Sequence, residues 1–340
     1  MSHMHRARAD LRQINRSNSG PGRPAQMAEL WARKYLSNLA ACDQSLKTGA
    51  VATTRASLVD QLLSDLRAAS VKAWNLTESL LAHEVKRHCI QASLVDPWQV
   101  SKDVYDIYGK ALAAYANKLS PCRLSVNIST ELGKIRQRYT SVDPRLIGFV
   151  SMQFHYSGQM LLESIPKSQR TLLSAYFKVV DDHLYMPLQR AYDAAAAYDY
   201  GDARLNIVQT LLPHITTIAN NVVNRVNQLY PTYRCYTDCL NSHPVRISSI
   251  RDTEMFQVYL WTCVLEGRFN AIQEELFPLC VMLYPTLKVN WELVRQMLHL
   301  LAREFRHHTT AEQEQYYAPY QDALWHMFSP DLFPEVIEVA

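Results

Sequence analysis

DPRLIGFVSMQFHYSGQMLLESI, residues 143–165, decides the fold class. Asp143-Pro144 opens a helix. Behind it, Leu146, Ile147, Phe149, Val150, Met152, Phe154, Met160 and Leu161 spread apolar groups over most of its faces. A helix of that kind is buried on several sides, not laid on a surface. The stripe left over is Gly148, Ser151, His155 and Gly158. Small residues let a flat ligand or a neighbouring backbone come close, so His155 is a candidate ligand of a planar group such as a tetrapyrrole. The plainer reading is tight helix packing around one hydrogen-bonded histidine.

Helical periodicity continues outward in both directions. Towards the N-terminus, residues 25–42 carry Leu30, Tyr35 and Leu39 on one stripe with Trp31 beside it, and a polar loop follows around 47–54. Residues 58–91 read as one long helix. Asp96-Pro97-Trp98 restarts a helix to about 119, because proline loses no hydrogen bond in a first turn, and Ser120-Pro121 stops it. Residues 122–142 are the least regular internal stretch and the expected domain boundary, with a short strand conceivable over 123–128. Towards the C-terminus, helices are expected over 167–199, 202–230, 249–265, 270–284, 290–308 and 311–328, with 230–248 irregular. The sum is an all-α, irregular multi-helix bundle of about ten helices. The expected organisation is a flexible basic arm over 1–24, a helical domain over 25–121, the connection 122–142 and a second helical domain over 143–340. Gly201 and Gly267 each precede an Asn-x-x-Gln segment and a proline. Solenoid-like helical hairpins in the C-terminal half are therefore the alternative arrangement.

Composition narrows the chemistry. Nine glycines stand against fifteen prolines, and no G-x-G-x-x-G, G-x-x-x-x-G-K-[ST] or G-x-S-x-G occurs. Phosphate-cradling loops and nucleophile elbows need such clusters. Seven cysteines, an odd number in a long chain, suit reduced thiols in a cytoplasmic setting. The C-x-x-x-C of Cys235 and Cys239 has no second pair, so it is a weak zinc or redox signal. The longest apolar runs fall far short of the ~20 residues that cross a bilayer. The net charge of +3 is uneven, since residues 1–24 hold five arginines and one aspartate. The first four residues, Met-Ser-His-Met, resemble a cloning scar.

Further candidates are weighed by spacing. Asp181-Asp182-His183 precedes Pro187, which cannot donate to the His183 carbonyl; the helix should kink and free an acceptor there. His183 is thus a second candidate ligand, although Lys178 forms an ordinary i,i+4 pair with Asp182. Lys134, Arg136, Arg138 and Arg145 form a candidate basic contact surface for phosphate, nucleic acid or an acidic protein. Glu304-x-x-His307 is half of a di-iron pattern without its second half. His83 and His88 are five apart and cannot share a zinc as an i,i+4 pair would. His299 shares a face with Glu292, Arg295, Gln296, Arg303 and Arg306, which reads as solvated. The stretch from Asp331 to Ala340 alternates acid with bulky apolar groups and suits docking on the protein's own core or on a partner groove.

Four stretches carry a resemblance: RQRYTSVDPRLIGFVSMQFHYSGQMLLE (136–163), FKVVDDHLYMPLQRAY (177–192), EMFQVYLWTCVLEG (254–267) and ELFPLCVMLYPTLKVNWELVRQMLHLL (275–301). Together they resemble an all-helical protein family associated with cyanobacteria. The resemblance implies a cytoplasmic setting and roles in regulation, cell differentiation or photosynthetic complexes; it carries no catalytic residue set. The expectation is a non-enzymatic regulatory or scaffold protein. It would act through another protein or by self-association, with no cofactor, no metal and no membrane span. The alternatives are a nucleic-acid-linked regulator using the arm and the basic loop, and a tetrapyrrole- or metal-binding helical protein.

Overall fold

The computed structural model describes residues 27–35 and 55–334. The predicted arm over 1–24, the polar loop over 47–54 and the last six residues lie outside the described residues. Every regular element among the described residues is helical, apart from a single antiparallel bridge between Arg234 and Cys239. The all-α expectation therefore holds. The helices group into two compact units, one ending at Tyr192 and one beginning at Asp193.

The first unit contains α1 (Met27–Ala32), α2 (Arg55–Arg87), α3 (Pro97–Ala116), α4 (Pro121–Thr140), α5 (Leu146–Glu163) and α6 (Lys167–Tyr185). A short helix, α7 (Leu188–Ala195), holds the boundary between the units. Helix α5 is the expected multi-sided core element; it packs against α2, α3, α4 and α6. Its Leu146, Ile147, Val150, Phe154 and Leu161 are all essentially inaccessible.

Residues 122–142 differ from expectation. They form a regular helix, α4, and neither a connection nor a strand. The start signal is the same one that opens α3. Asp96 caps α3 by accepting from the Trp98 amide, and Ser120 caps α4 by accepting from the Arg123 amide, each followed by proline at the first helical position. Leu124, Ile128, Leu132, Ile135 and Tyr139 supply a helical stripe, with Ser125 and Ser129 filling the positions where α4 meets its neighbours. The serines and basic residues lowered the apparent periodicity without breaking it. The division between compact units accordingly falls near residue 192, not within 122–142.

The kink expected at Pro187 is a full stop. Helix α6 ends at Tyr185, and Met186 is extended (φ −107°, ψ 148°), as the residue before proline prefers. Arg136 of α4 takes up the released carbonyls: its Nη1 donates to Leu184 O (2.6 Å) and Tyr185 O (3.2 Å). Arg136 is 5% exposed. It is an internal cap, not part of a basic contact surface.

The second unit contains α8 (Ala203–Leu211), α9 (Ile215–Leu229), α10 (His243–Glu266), α11 (Phe277–Thr286), α12 (Trp291–His308) and α13 (Ala311–Met327). A 3-10 turn at Pro213 separates α8 from α9, and a π-helical segment, Ala271–Leu276, leads into α11. In α10 every residue from Thr253 to Leu265 is buried. Helices α8, α9 and α13 and the π segment all pack on α10. A helix enclosed this way is the centre of a bundle; stacked hairpins of a solenoid would leave one face of each pair open. Gly267 ends α10 in the left-handed region (φ 68°), and a Cβ there would meet the Arg204 guanidinium. No helix among the described residues is long and apolar enough to cross a membrane.

Replacing Arg136 with methionine keeps much of the apolar stem and strips two buried carbonyls of their donor. Unfolding in urea should show a loss of about 2–4 kcal/mol, the cost of two orphaned acceptors. A variant as stable as the parent would contradict the capping role.

Candidate functional site

Consecutive residues on a helix point about 100° apart. Asp181, Asp182 and His183 therefore leave α6 in three directions and meet three different elements. Asp181 Oδ2 lies 2.9 Å from Nδ1 of His155 on α5. Asp182 points to the segment 27–35: its carboxylate lies 3.0 Å from Lys34 Nζ and 3.0 Å from Lys178 Nζ, and it accepts from the Tyr35 hydroxyl at 3.0 Å. Trp31 Nε1 in turn donates to the Tyr35 oxygen (2.9 Å), and Lys34 Nζ sits 3.9 Å from the centre of the Trp31 ring. His183 faces Ser125 of α4, with 3.4 Å from Nε2 to Oγ, and its Nδ1 lies 2.8 Å from the Val179 carbonyl.

The electrostatics are those of a fastening. Asp182 has a fully buried side chain. Burial pushes its pKa up, but the Lys178 and Lys34 ammonium groups outweigh it and hold the carboxyl well below the usual carboxylate range. Tyr35 is pushed up, by burial first and then by Asp182, and stays a neutral phenol. Burial lowers the His183 pKa to about 4, against smaller raising contributions from the Val179 carbonyl and Asp182. His183 is therefore neutral near pH 7. A carbonyl at Nδ1 requires a proton there, so Nε2 is the acceptor and Ser125 its donor. Both nitrogens are used inside the protein, and the ligand reading of His183 does not survive. Each Asp182 oxygen is likewise engaged. Breaking a buried pair of this kind costs about 3–5 kcal/mol.

The His155 stripe is filled by protein. A Cβ on Gly158 would run into the Tyr108 hydroxyl, which reaches in from α3 and donates to Phe154 O (2.8 Å). The Tyr108 ring lies edge-on to Phe177 with centroids 4.7 Å apart. The small residue accommodates a tyrosine from the same chain, not a planar ligand. His155, partly exposed, is the outward end of the Asp181 pair.

The four basic candidates do not act alike: Lys134 and Arg138 stand four apart on the exposed face of α4, whereas Arg136 of the same helix turns inward. Lys134 is exposed and Arg136 is buried. Arg138 pairs with Asp103 at 2.7 Å, and Tyr139 donates to the same carboxylate. Arg145 grips Asp143 (2.6 Å) and donates to His88 O. Arg295 also departs from expectation. It is buried, not solvated, and its Nη1 donates to Phe328 O (3.1 Å). The chain beyond α13 docks on its own unit as far as Pro334, with Phe333 against Trp291 at 4.4 Å between centroids.

Cys235 and Cys239 are free thiols. The Arg234–Cys239 bridge makes Cys235 pair with Asp238 across the turn, so the two cysteines alternate to opposite faces and cannot converge on one ion. Among the described residues no group of three or more His, Cys, Asp or Glu is placed to hold a metal. Cys235 instead lines a mostly apolar cavity of about 70 Å³ with Val223, Val226, Leu240, Tyr284 and Val294. Burial, and then Asp252, raises the pKa of its thiol.

Sequence reasoning missed Trp31, Lys34 and Tyr35 as partners of Asp182, and Arg136 and Arg295 as internal caps. Trp31, Lys34 and Tyr35 do stand three and four apart on one helical face, which was a usable signal. Their partner, however, is about 150 residues away in the chain.

Residues 178–327 match the family model described as phycobilisome protein. The match covers less than half of the chain; it begins within α6 and ends with α13. Comparison with curated proteins and with solved structures gives no match. Of the four stretches that carried the resemblance, 254–267 and 275–301 lie inside the matched residues and 177–192 does so but for Phe177; 136–163 precedes them. The matched part of the chain is thus similar to phycobilisome proteins, and its regular elements are helical.

Stability between pH 7 and pH 4.5 tests the assignment of His183. The unfolded chain takes up a proton on this residue below about 6.5, whereas the folded one does not until about 4. Stability is therefore lost as pH falls through that window, by roughly 2–3 kcal/mol at pH 4.5. In His183→Gln that part of the slope should vanish. An unchanged slope would mean that His183 is charged or exposed in the native state.

Proposed function

We propose that this protein is a non-catalytic assembly component of a phycobilisome-type, light-harvesting setting, acting through protein–protein contact or self-association. The observation that carries the reading is the family match over 178–327. Two structural features support it. The ionisable residues singled out as catalytic or ligating candidates spend their polar atoms on internal partners. The buried cores of both units are mainly hydrocarbon and aromatic, with polar groups such as Asp182 and Arg295 spent on internal contacts, which leaves outward faces for recognition.

A tetrapyrrole was tested against two places. The stripe at Gly158 is occupied by Tyr108. The cavity beside Cys235, at about 70 Å³, is a fraction of the ~300–1,000 Å³ of pockets that enclose organic ligands. Neither of these two places has room for a tetrapyrrole. The nucleic-acid alternative has less to support it, because Arg136 is buried and Arg138 and Arg145 pair with Asp103 and Asp143.

The test is co-sedimentation. Full-length protein carrying an affinity tag is expressed in a cyanobacterial host, and the lysate is separated on a sucrose gradient. The expected result is co-migration with assembled light-harvesting particles, a colourless pure protein, and cross-links that map to the outer faces of residues 193–334. A protein that stays at the top of the gradient as a free 39.1 kDa chain, or one that carries a stoichiometric visible chromophore, would overturn the reading.

A further inference from the structure

Helices α9 and α12 run antiparallel in the second unit, with Asn221 opposite Glu304 and Tyr230 opposite Glu292. Between them lies an open groove of about 280 Å³, with Val222 and Leu300 among its lining residues. Arg225 on α9 and Arg303 on α12 also line it. Among the described residues neither has a carboxylate partner. Arg225 Nη1 donates to the neutral Gln228 Oε1 (2.9 Å), and Arg303 makes no hydrogen bond or ion pair among the described residues. Glu304, the acid of the groove, turns to other groups. Its Oε2 accepts from Asn221 (2.9 Å), and its Oε1 lies 3.9 Å from His307 Nδ1.

Neighbouring arginines behave differently. Arg306 is tied to Glu314 at 2.7 Å, and Arg295 to Glu292 at 3.2 Å. Arg225 and Arg303 put two like charges on one concavity against the single carboxylate of Glu304, and an anion between them offsets the remaining repulsion. The planar fork of a guanidinium matches the paired oxygens of a carboxylate or phosphate. The volume suits a small group and falls below that of an enclosed cofactor pocket.

We propose that this groove is an oxyanion site, set by Arg225 and Arg303, for a single carboxylate or phosphate group. Such a group arrives either on a small molecule or on an acidic side chain of a partner chain. The site does not depend on the assembly reading above and stands or falls by its own binding measurement.

Titration calorimetry on the full chain in low salt uses three probes: inorganic phosphate, succinate and a capped Glu-Glu dipeptide. One-site binding is expected. R225Q and R303Q should each weaken it by about tenfold or more, as loss of a charge-assisted pair demands. R306Q, whose guanidinium is held by Glu314, should leave it unchanged, and E304Q should tighten it by removing the competing charge. Circular dichroism and melting temperature check that these surface variants remain folded. Preference for phosphate assigns a small phosphorylated ligand, and preference for the dipeptide assigns an acidic partner side chain. No saturable binding of any probe, or equal weakening by R306Q and R303Q, would overturn the site.

Discussion

Three adjacent polar residues on α6 hold the first unit in register. Asp181, Asp182 and His183 fan out around the helix and engage α5, the 27–35 segment and α4 respectively. Apolar burial supplies most of the stabilising free energy of such a unit, but it is non-directional. Hydrogen bonds and ion pairs with defined geometry fix which helix lies where. Three residues after this trio the chain reaches Met186, stops being helical, and hands its carbonyls to Arg136. One turn of α6 and its terminus thus fix three neighbours at once.

The same geometry explains why a cluster rich in Asp, His, Lys and Tyr is not a reaction centre. General acid–base chemistry needs a group that reaches a substrate and titrates near the working pH. Asp182 is locked as an anion between two ammonium groups, and His183 is locked neutral. Both are out of reach of solvent. Their perturbed pKa values record burial and pairing, which structural networks produce as readily as active sites.

The second unit solves its packing problem by enclosing α10. From Thr253 to Leu265 that helix presents no face to solvent, and several of its polar side chains find internal partners. Thr216 donates to Glu254, and Gln257 donates to Ile215 O. Arg295 and the ring cluster of Trp291, Phe328 and Phe333 fasten the chain after α13 to the same body. What is left for recognition is the outside of the bundle, including the groove between α9 and α12 that Arg225 and Arg303 line.

Much of this was present in the order of residues alone. Apolar spacing identified most of the helices, though not α4, and the multi-sided burial of 146–161; Pro187 marked a break as a kink where the structure ends α6. Glycine and proline content excluded phosphate loops. These are local properties, set by 3.6-residue periodicity and by which backbone angles a residue tolerates. The partners were not local. Whether an arginine caps a helix, as Arg136 does, meets an acid, as Arg138 does, or faces an empty groove, as Arg303 does, depends on which distant segment comes beside it. The same side chain carries the same charge in all three settings. Only the folded arrangement decides how far water is removed and what stands within 3 Å, and those two quantities determine whether a polar residue holds the protein together or remains available to bind something else.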